Sequence, residues 1–292
     1  MQIFINGKYY QREQAKISVF DHGLLYGDGV FEGIRVYNNR ILLLDEHLER
    51  LYNSAKIIML PVPYSFSELR KYVLATVSRN QLKDAYIRLI VTRGVGDLGL
   101  DPFLCKNGQV IIIVDKIQLY PEALYKKGLN VITAVTRRNL PEAVPPQVKS
   151  LNYLNNILAK IEAVKADVPE AIMLSSQGFV AECTGDNIFI IKRGKLFTPG
   201  VFHGALDGIT KRAIMVLASD SGLEVQEATL SLTDVYTCDE CFLTGTAAGA
   251  IPVVKVDDRI IGTGKPGSIT ERLRKIYDQW VVNQGIEVPV KK

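Results

Sequence analysis

The sequence predicts a mixed chain of the α+β class, and three observations carry that expectation. Short alternations of apolar and polar residues are bounded by turn residues, as in residues 3–10 around Asn6-Gly7. Leu154, Ile157, Leu158 and Ile161 fall at i, i+3, i+4 and i+7, which predicts an amphipathic helix with that face buried. Ser65 with Glu68 and Ser268 with Glu271 have the spacing of capping boxes, in which a side chain and a backbone amide satisfy each other at a helix start. With 292 residues the chain has room for two domains, and 47% hydrophobic residues against 23% charged can fill a sizeable core.

Taken in order, the hairpin at 3–10 leads into a glycine-punctuated segment and then paired strands with one face inward, with alternation through Phe31, Ile34 and Val36 and on past Asn38-Asn39 to Ile41. Asp45 is placed to cap the next helix, whose buried face is Leu48, Leu51, Tyr52, Ala55 and Ile58; Arg50 lies off that face and reads as solvated. A second helix runs from the Ser65 box to near Asn80. The strands AYIRLIVTR and QVIIIV follow, separated by the glycine-rich GVGDLGLDP, and together these elements make a two-layer α/β unit. Residues 116–128 contain Pro121 and have no clear periodicity at their start. They are read as a connection between an amino-terminal domain of residues 1–115 and a carboxy-terminal domain of residues 129–292. Beyond it come the strand NVITAVT and an approach to Lys149 that Pro145-Pro146 keeps from being helical. A hairpin turns about Arg193-Gly194, and a helix opens at 208–210 and ends at Gly222.

The balance of 35 basic and 31 acidic residues leaves a net charge of +4 with no basic run, which argues against a nucleic-acid partner. The first residues lack the pattern of a secretory leader and no apolar run is long enough for a bilayer, so the expectation is a soluble cytoplasmic protein with no membrane partner. Four cysteines do not make a disulfide framework. Cys238 and Cys241 have redox spacing but enter a strand rather than open a helix, and His22, His47 and His203 are scattered, so no metal is assigned. Gly27-Asp28-Gly29 and GTGKPGS lack the spacing and context of nucleotide loops.

Two residues suggest chemistry. Lys149 stands just before an amphipathic helix, and an amine held beside apolar surface becomes a usable nucleophile for carbonyl groups. Glu182 follows on a strand, and a carboxylate is what a pyridinium nitrogen needs as partner. By spacing alone, both also read as solvated surface groups.

The stretches KSLNYLNNILAK and VAECTGDNIF closely resemble the fold-type IV pyridoxal-phosphate enzymes, and YGDGVFEGIRVY resembles the pocket strand of the branched-chain amino-acid aminotransferases among them. The resemblance runs from Ile3 to the last helix. It implies an amino-terminal two-layer α/β domain, a carboxy-terminal pseudo-barrel and a homodimer or higher homo-oligomer whose sites include a neighbour's loop. The cofactor would be pyridoxal 5′-phosphate, the substrates branched-chain amino acids and 2-oxo acids. By the same resemblance Lys149 is the Schiff-base lysine and general base, Glu182 the partner of the ring nitrogen, and Tyr153 the partner of the phenolic oxygen. Arg50 in His47-Leu48-Glu49-Arg50-Leu51, Ile209 and Thr210 in the LDGIT turn, and Thr246 hold the phosphate, and the Ala247 amide receives the α-carboxylate. Tyr26, Phe31, Gly33, Arg35, Tyr86 and Arg88 lie at the substrate, with Arg88 and Tyr26 for an acidic side chain and Phe31 with the rim of the 94–100 loop for an apolar one. Read as residues alone, Phe31 and Tyr26 are equally ordinary strand packing, and Tyr86 and Arg88 could flank a subunit interface. D-Amino-acid or amine transaminases and aminodeoxychorismate lyase share the fold; the Arg-x-His pair of the D-specific enzymes is absent after Thr92-Arg93-Gly94, and FEGIR at 31–35 favours the branched-chain group.

Overall fold

Asn6 and Gly7, both at positive φ, close the first hairpin and pair β1 (Gln2–Ile5) with β2 (Lys8–Gln11). The computed structural model describes residues 1–289, and its contacts divide the chain into two units. The first comprises Met1–Ile117, Val148–Asn152 and the chain from Val281; the second comprises Gln118–Gln147 and Tyr153–Trp280.

In the first unit, β1 and β2 are followed by α1 (His22–Tyr26), β3 (Gly29–Tyr37), β4 (Arg40–Ile41), α2 (Leu44–Ile57), α3 (Phe66–Asn80), β5 (Ala85–Thr92) and β6 (Gln109–Asp115). The strands form one antiparallel sheet in the order β4-β3-β5-β6-β1-β2, with a short strand from the chain's end outside β4. Alternation along β3 sends Val30, Ile34 and Val36 into a core shared with Leu48 and Leu51 of α2 and Leu69 of α3. Each such fully buried aliphatic side chain contributes about 1.5–3 kcal/mol. The capping box of Ser65 and Glu68 is present.

Two expectations are corrected in this unit. The N-cap of α2 is Leu43, in the left-handed region at φ 49°, and Asp45 sits in the first turn, where it pairs with Arg70 at 2.7 Å. The glycine-punctuated segment also contains a short helix, α1, capped by the Asp21 carboxylate and ended by Gly27 at φ 68°.

The second unit contains α4 (Glu122–Lys127), β7 (Leu129–Thr133), α5 (Leu154–Lys165), β8 (Glu170–Leu174), β9 (Val180–Cys183), β10 (Asn187–Lys192), β11 (Lys195–Pro199), α6 (Ile209–Asp220), β12 (Val225–Ala228), α7 (Leu232–Tyr236), β13 (Glu240–Gly245), β14 (Gly249–Val256) and β15 (Arg259–Ile260). The chain closes with α8 (Ser268–Val281), which carries it back to the first unit, and β16 (Ile286–Glu287), the strand beside β4. The sheet order is β12-β11-β10-β13-β14-β7-β8-β9, and β9, last in that order, packs back against β10 and β11. That curl is the expected pseudo-barrel. Among the described residues no helix is long and apolar enough to cross a membrane.

Three further expectations give way here. The stretch at 116–128 is partly helical, as α4, and Tyr120 before it is buried in the core of this unit. The first-turn amides of α8 at Ile269 and Thr270 go to the Glu240 carboxylate of β13, where the sequence pointed to Ser268 with Glu271. The largest correction concerns α5. Leu154, Ile157, Leu158 and Ile161 are exposed, and the buried residues are Asn156, Ala159 and Ala163. The small face packs on Ala134, Ala171 and Met173, because alanines let the helix lie close to β8, and this turns the apolar stripe outward.

Candidate active site

Lys149 is held by strand pairing. The Phe31 amide donates to the Lys149 carbonyl at 3.0 Å, the Leu151 amide donates to that of Gly29 at 2.9 Å, and Ser150 forms a bridge with Val30. The Lys149 amide reaches Ser54 Oγ of α2 at 3.2 Å, and its ammonium stands 4.6 Å from the centre of the Phe31 ring.

Around Phe31 the first unit gathers the predicted pocket residues. Antiparallel register sets Gly33 opposite Arg88 and Arg35 opposite Tyr86, so Phe31, Gly33, Arg35, Tyr86 and Arg88 share one face. A Cβ on Gly33 would lie 1.8 Å from Tyr86 Oη, so only glycine lets that phenol cross the strand. The Arg88 guanidinium sits 4.5 Å from the Phe31 centroid. Arg35 Nε is buried without a hydrogen-bond partner among the described residues. Tyr26 donates its hydroxyl hydrogen to the Leu98 carbonyl, and His22 Nε2 lies 2.8 Å from that of Asp97; both tie the 94–100 loop to α1.

The opposite face of β3 carries Glu32, which is fully buried. Arg50 is not solvated as periodicity expected. Its Nε and Nη2 donate to the two Glu32 oxygens at 2.7 and 2.8 Å, and His47 Nδ1 lies 2.7 Å from Oε2. Burial pushes the Glu32 carboxyl up, but Arg50 and His47 outweigh it and bring it down to about 2. Burial lowers the His47 imidazole below its ordinary value, against the pull of Glu32. Beside a carboxylate, which only accepts, His47 presents its Nδ1 proton and donates it.

In the second unit Glu182 is buried. Its Oε1 pairs with Arg138 Nη2 at 2.7 Å, and its Oε2 accepts from the Leu206 amide at 2.9 Å and from Asn187 Nδ2 at 3.3 Å. Arg138 is held in turn by Asn156 Oδ1 at 2.7 Å and the Gly204 carbonyl at 3.0 Å. Ile209 and Thr210 are buried in the first turn of α6, whose N-cap Gly208 makes no side-chain cap bond, so backbone donors remain for an anion. A Cβ at Gly208 would meet Asn187 Oδ1 at 1.9 Å. Thr246 and Ala247 lie in the turn between β13 and β14, and Tyr153 is the N-cap residue of α5.

Residues 29–256 match the family described as Amino-transferase class IV. The chain belongs to this family. Relatives and solved structures agree along nearly the whole length. A protein of Methanocaldococcus jannaschii named putative branched-chain-amino-acid aminotransferase is 49% identical, over 99% of both chains. The structure of the Escherichia coli branched-chain amino acid aminotransferase superposes with a TM-score of 0.94 at 35% identity, covering 97% of this chain and 95% of that one. A T.th. branched-chain amino acid aminotransferase complexed with N-(5′-phosphopyridoxyl)-L-glutamate superposes with a TM-score of 0.92 at 36% identity, covering 96% of this chain and 94% of that one. The uncapped turn of α6 suits a phosphate and the buried carboxylate of Glu182 suits a ring N–H, so the donor set of this class IV chain fits pyridoxal phosphate.

Sequence reasoning missed the partners of two candidate residues, Glu32 and His47 beside Arg50 in the first unit and Arg138 beside Glu182 in the second. Glu32 had a visible signal: it interrupts the core-facing series Val30, Ile34, Val36, and His47 and Arg50 stand three apart on the next helix. Arg138 had none, because its partners come from distant elements. Also missed was a buried acidic pair in the second unit. The Tyr120 hydroxyl donates to Asp186 Oδ2 at 2.9 Å, while Glu170 Oε1 accepts from the Thr184 amide at 3.1 Å. Burial and the neighbouring Glu170 push the Asp186 carboxyl up to about 7. Its folded value therefore lies above the ordinary 3.8, so its contribution to stability is complete below that value and lost as pH rises through 7. Asp186→Asn removes the titration. Its unfolding free energy, measured by denaturant titration, should gain on the wild type between pH 4 and 7, and a constant difference over that range would contradict the assignment.

Proposed function

We propose that the chain transfers amino groups between the branched-chain L-amino acids leucine, isoleucine and valine and 2-oxoglutarate, using pyridoxal 5′-phosphate. The observation that carries this reading is the agreement along nearly the whole chain with proteins named branched-chain aminotransferases. The bound cofactor supplies an aldehyde for the amino group and a ring that takes up the electron pair left when the Cα proton departs.

The chain's own residues do the rest. Lys149 Nζ is the amine for the aldehyde carbon and the base for the proton at the substrate Cα. Glu182, fixed by Arg138 and the Leu206 amide, holds the proton on the ring nitrogen. Tyr153 meets the phenolic oxygen. Arg50, Ile209, Thr210 and Thr246 hold the phosphate, and Thr246 with the Ala247 amide orients the substrate carboxylate. Tyr26, Phe31, Gly33, Arg35, Tyr86 and Arg88 shape the pocket. Phe31 suits an aliphatic side chain, whereas Arg88, Tyr26 and the Nε of Arg35, which has no partner among the described residues, suit an acidic one. The phosphopyridoxyl-glutamate complex of the T.th. relative supports the acidic half.

Four buried free cysteines favour a reducing compartment, the cytoplasm. The exposed stripe of α5, with Leu98, Leu100 and Phe103 exposed on and beside the 94–100 loop, supports a homodimer or a higher homo-oligomer.

In single-turnover absorbance, L-leucine should convert the holoprotein to its pyridoxamine form and 2-oxoglutarate should restore it. Arg88→Ala should slow the second half-reaction by about tenfold or more, with less effect on the first. No response to leucine, or equal losses in both halves, would count against the respective assignment. In sedimentation, Leu158→Glu together with Ile161→Glu should shift the protein toward monomer; an unchanged assembly would remove α5 from the interface.

A further inference from the structure

The trio of Glu32, His47 and Arg50 raises a question of cost. Taking a carboxylate and a guanidinium out of water is expensive, and apolar residues of similar volume would serve a core as well or better. The rest of the β3 face bears this out, since Val30, Ile34 and Val36 fill the same core. A buried pair in such a place is explained when one of its members must point in one direction.

The geometry supplies that direction. Glu32 engages the guanidinium by one edge, Nε and Nη2, at 2.7 and 2.8 Å, and a two-point contact fixes the plane of the fork as well as its position. His47, one turn before Arg50 on α2, donates Nδ1–H to Oε2 at 2.7 Å and keeps the carboxylate from rotating. Glu32 is itself anchored by strand pairing to Leu89. Arg50, a long side chain on a helix surface, thereby loses its rotamer freedom in the folded protein rather than on binding a ligand.

We propose that Glu32 is a positioning residue for anion binding: it aims the Arg50 guanidinium and so sets the affinity for the cofactor's phosphate. This rests on the reading of Arg50 as a phosphate ligand. A competing effect runs the other way, because the Glu32 charge partly offsets that of Arg50. If charge alone mattered, removing it would tighten phosphate binding; if aim matters, removing it weakens binding.

The test compares pyridoxal phosphate with pyridoxal, which lacks the phosphate, by equilibrium binding to the full-length apoprotein. Glu32→Gln should lower affinity for pyridoxal phosphate by about ten- to a hundredfold, the scale of loss when a residue that orients a metal ligand is removed, and leave that for pyridoxal unchanged. Glu32→Asp keeps the buried charge but draws the carboxylate back by one methylene, and it should show the same selective loss even if the glutamine variant does not fold. Wild-type or tighter affinity for pyridoxal phosphate, or equal losses for both ligands, would overturn the proposal. Arg50→Gln separates it from the underlying reading. A selective loss in Arg50→Gln without one in the Glu32 variants sinks only the role of Glu32, whereas no loss in Arg50→Gln sinks the phosphate reading itself.

Discussion

The pairing of residues 149–151 along the start of β3 is the constraint on which the proposed chemistry of the first unit depends. Two backbone hydrogen bonds and the Ser150 bridge convert a proline-led, irregular segment into an extra extended stretch. Backbone pairing sets the register of the lysine relative to Phe31, and the period of two along β3 does the rest. One face presents Phe31, Gly33 and Arg35, while the other carries Val30, Ile34 and Val36 into the core together with Glu32. A slip of one residue would exchange the two faces, placing a charged arginine in the core and a carboxylate beside the lysine.

The second unit solves a related problem by different means. Glu182 sits on a fully buried strand, and no single neighbour satisfies it; Arg138, the Leu206 amide and Asn187 do so together. Asn187 also occupies the space in front of Gly208, which links the carboxylate to the start of α6. Within this unit the proposed ring partner and the proposed phosphate turn are therefore mechanically coupled through one amide side chain. Crowding explains the glycines at 208 and 245, where added Cβ atoms would meet Asn187 and Asp186 at 1.9 and 2.0 Å.

Much of this was legible from the residues. Alternation and helical spacing located the first hairpin, β3, β5 and α2, the capping box located the start of α3, and β6 read as an apolar run. The motifs around Lys149 and Glu182 identified the family. What was not legible depends on partners far away in sequence. The α5 stripe obeys the helical period, yet periodicity cannot say whether an apolar face meets its own unit or lies outside it. The stripe is exposed because Ala159 and Ala163 make the closer contact with β8. Arg50 looked solvated because its partner, Glu32, is the one charged residue in the core-facing series of β3 and the helical period does not register it. Glu240 at the start of α8 and Tyr120 in the second core are likewise long-range, and no local spacing announces them.

The central claim is that Lys149 supplies the amine for the cofactor, and the most direct measurement is to trap that bond. Holoprotein reduced with borohydride and digested should yield one phosphopyridoxyl peptide, with the modification on Lys149. A label on another lysine, or none after loading with pyridoxal phosphate, would contradict the account.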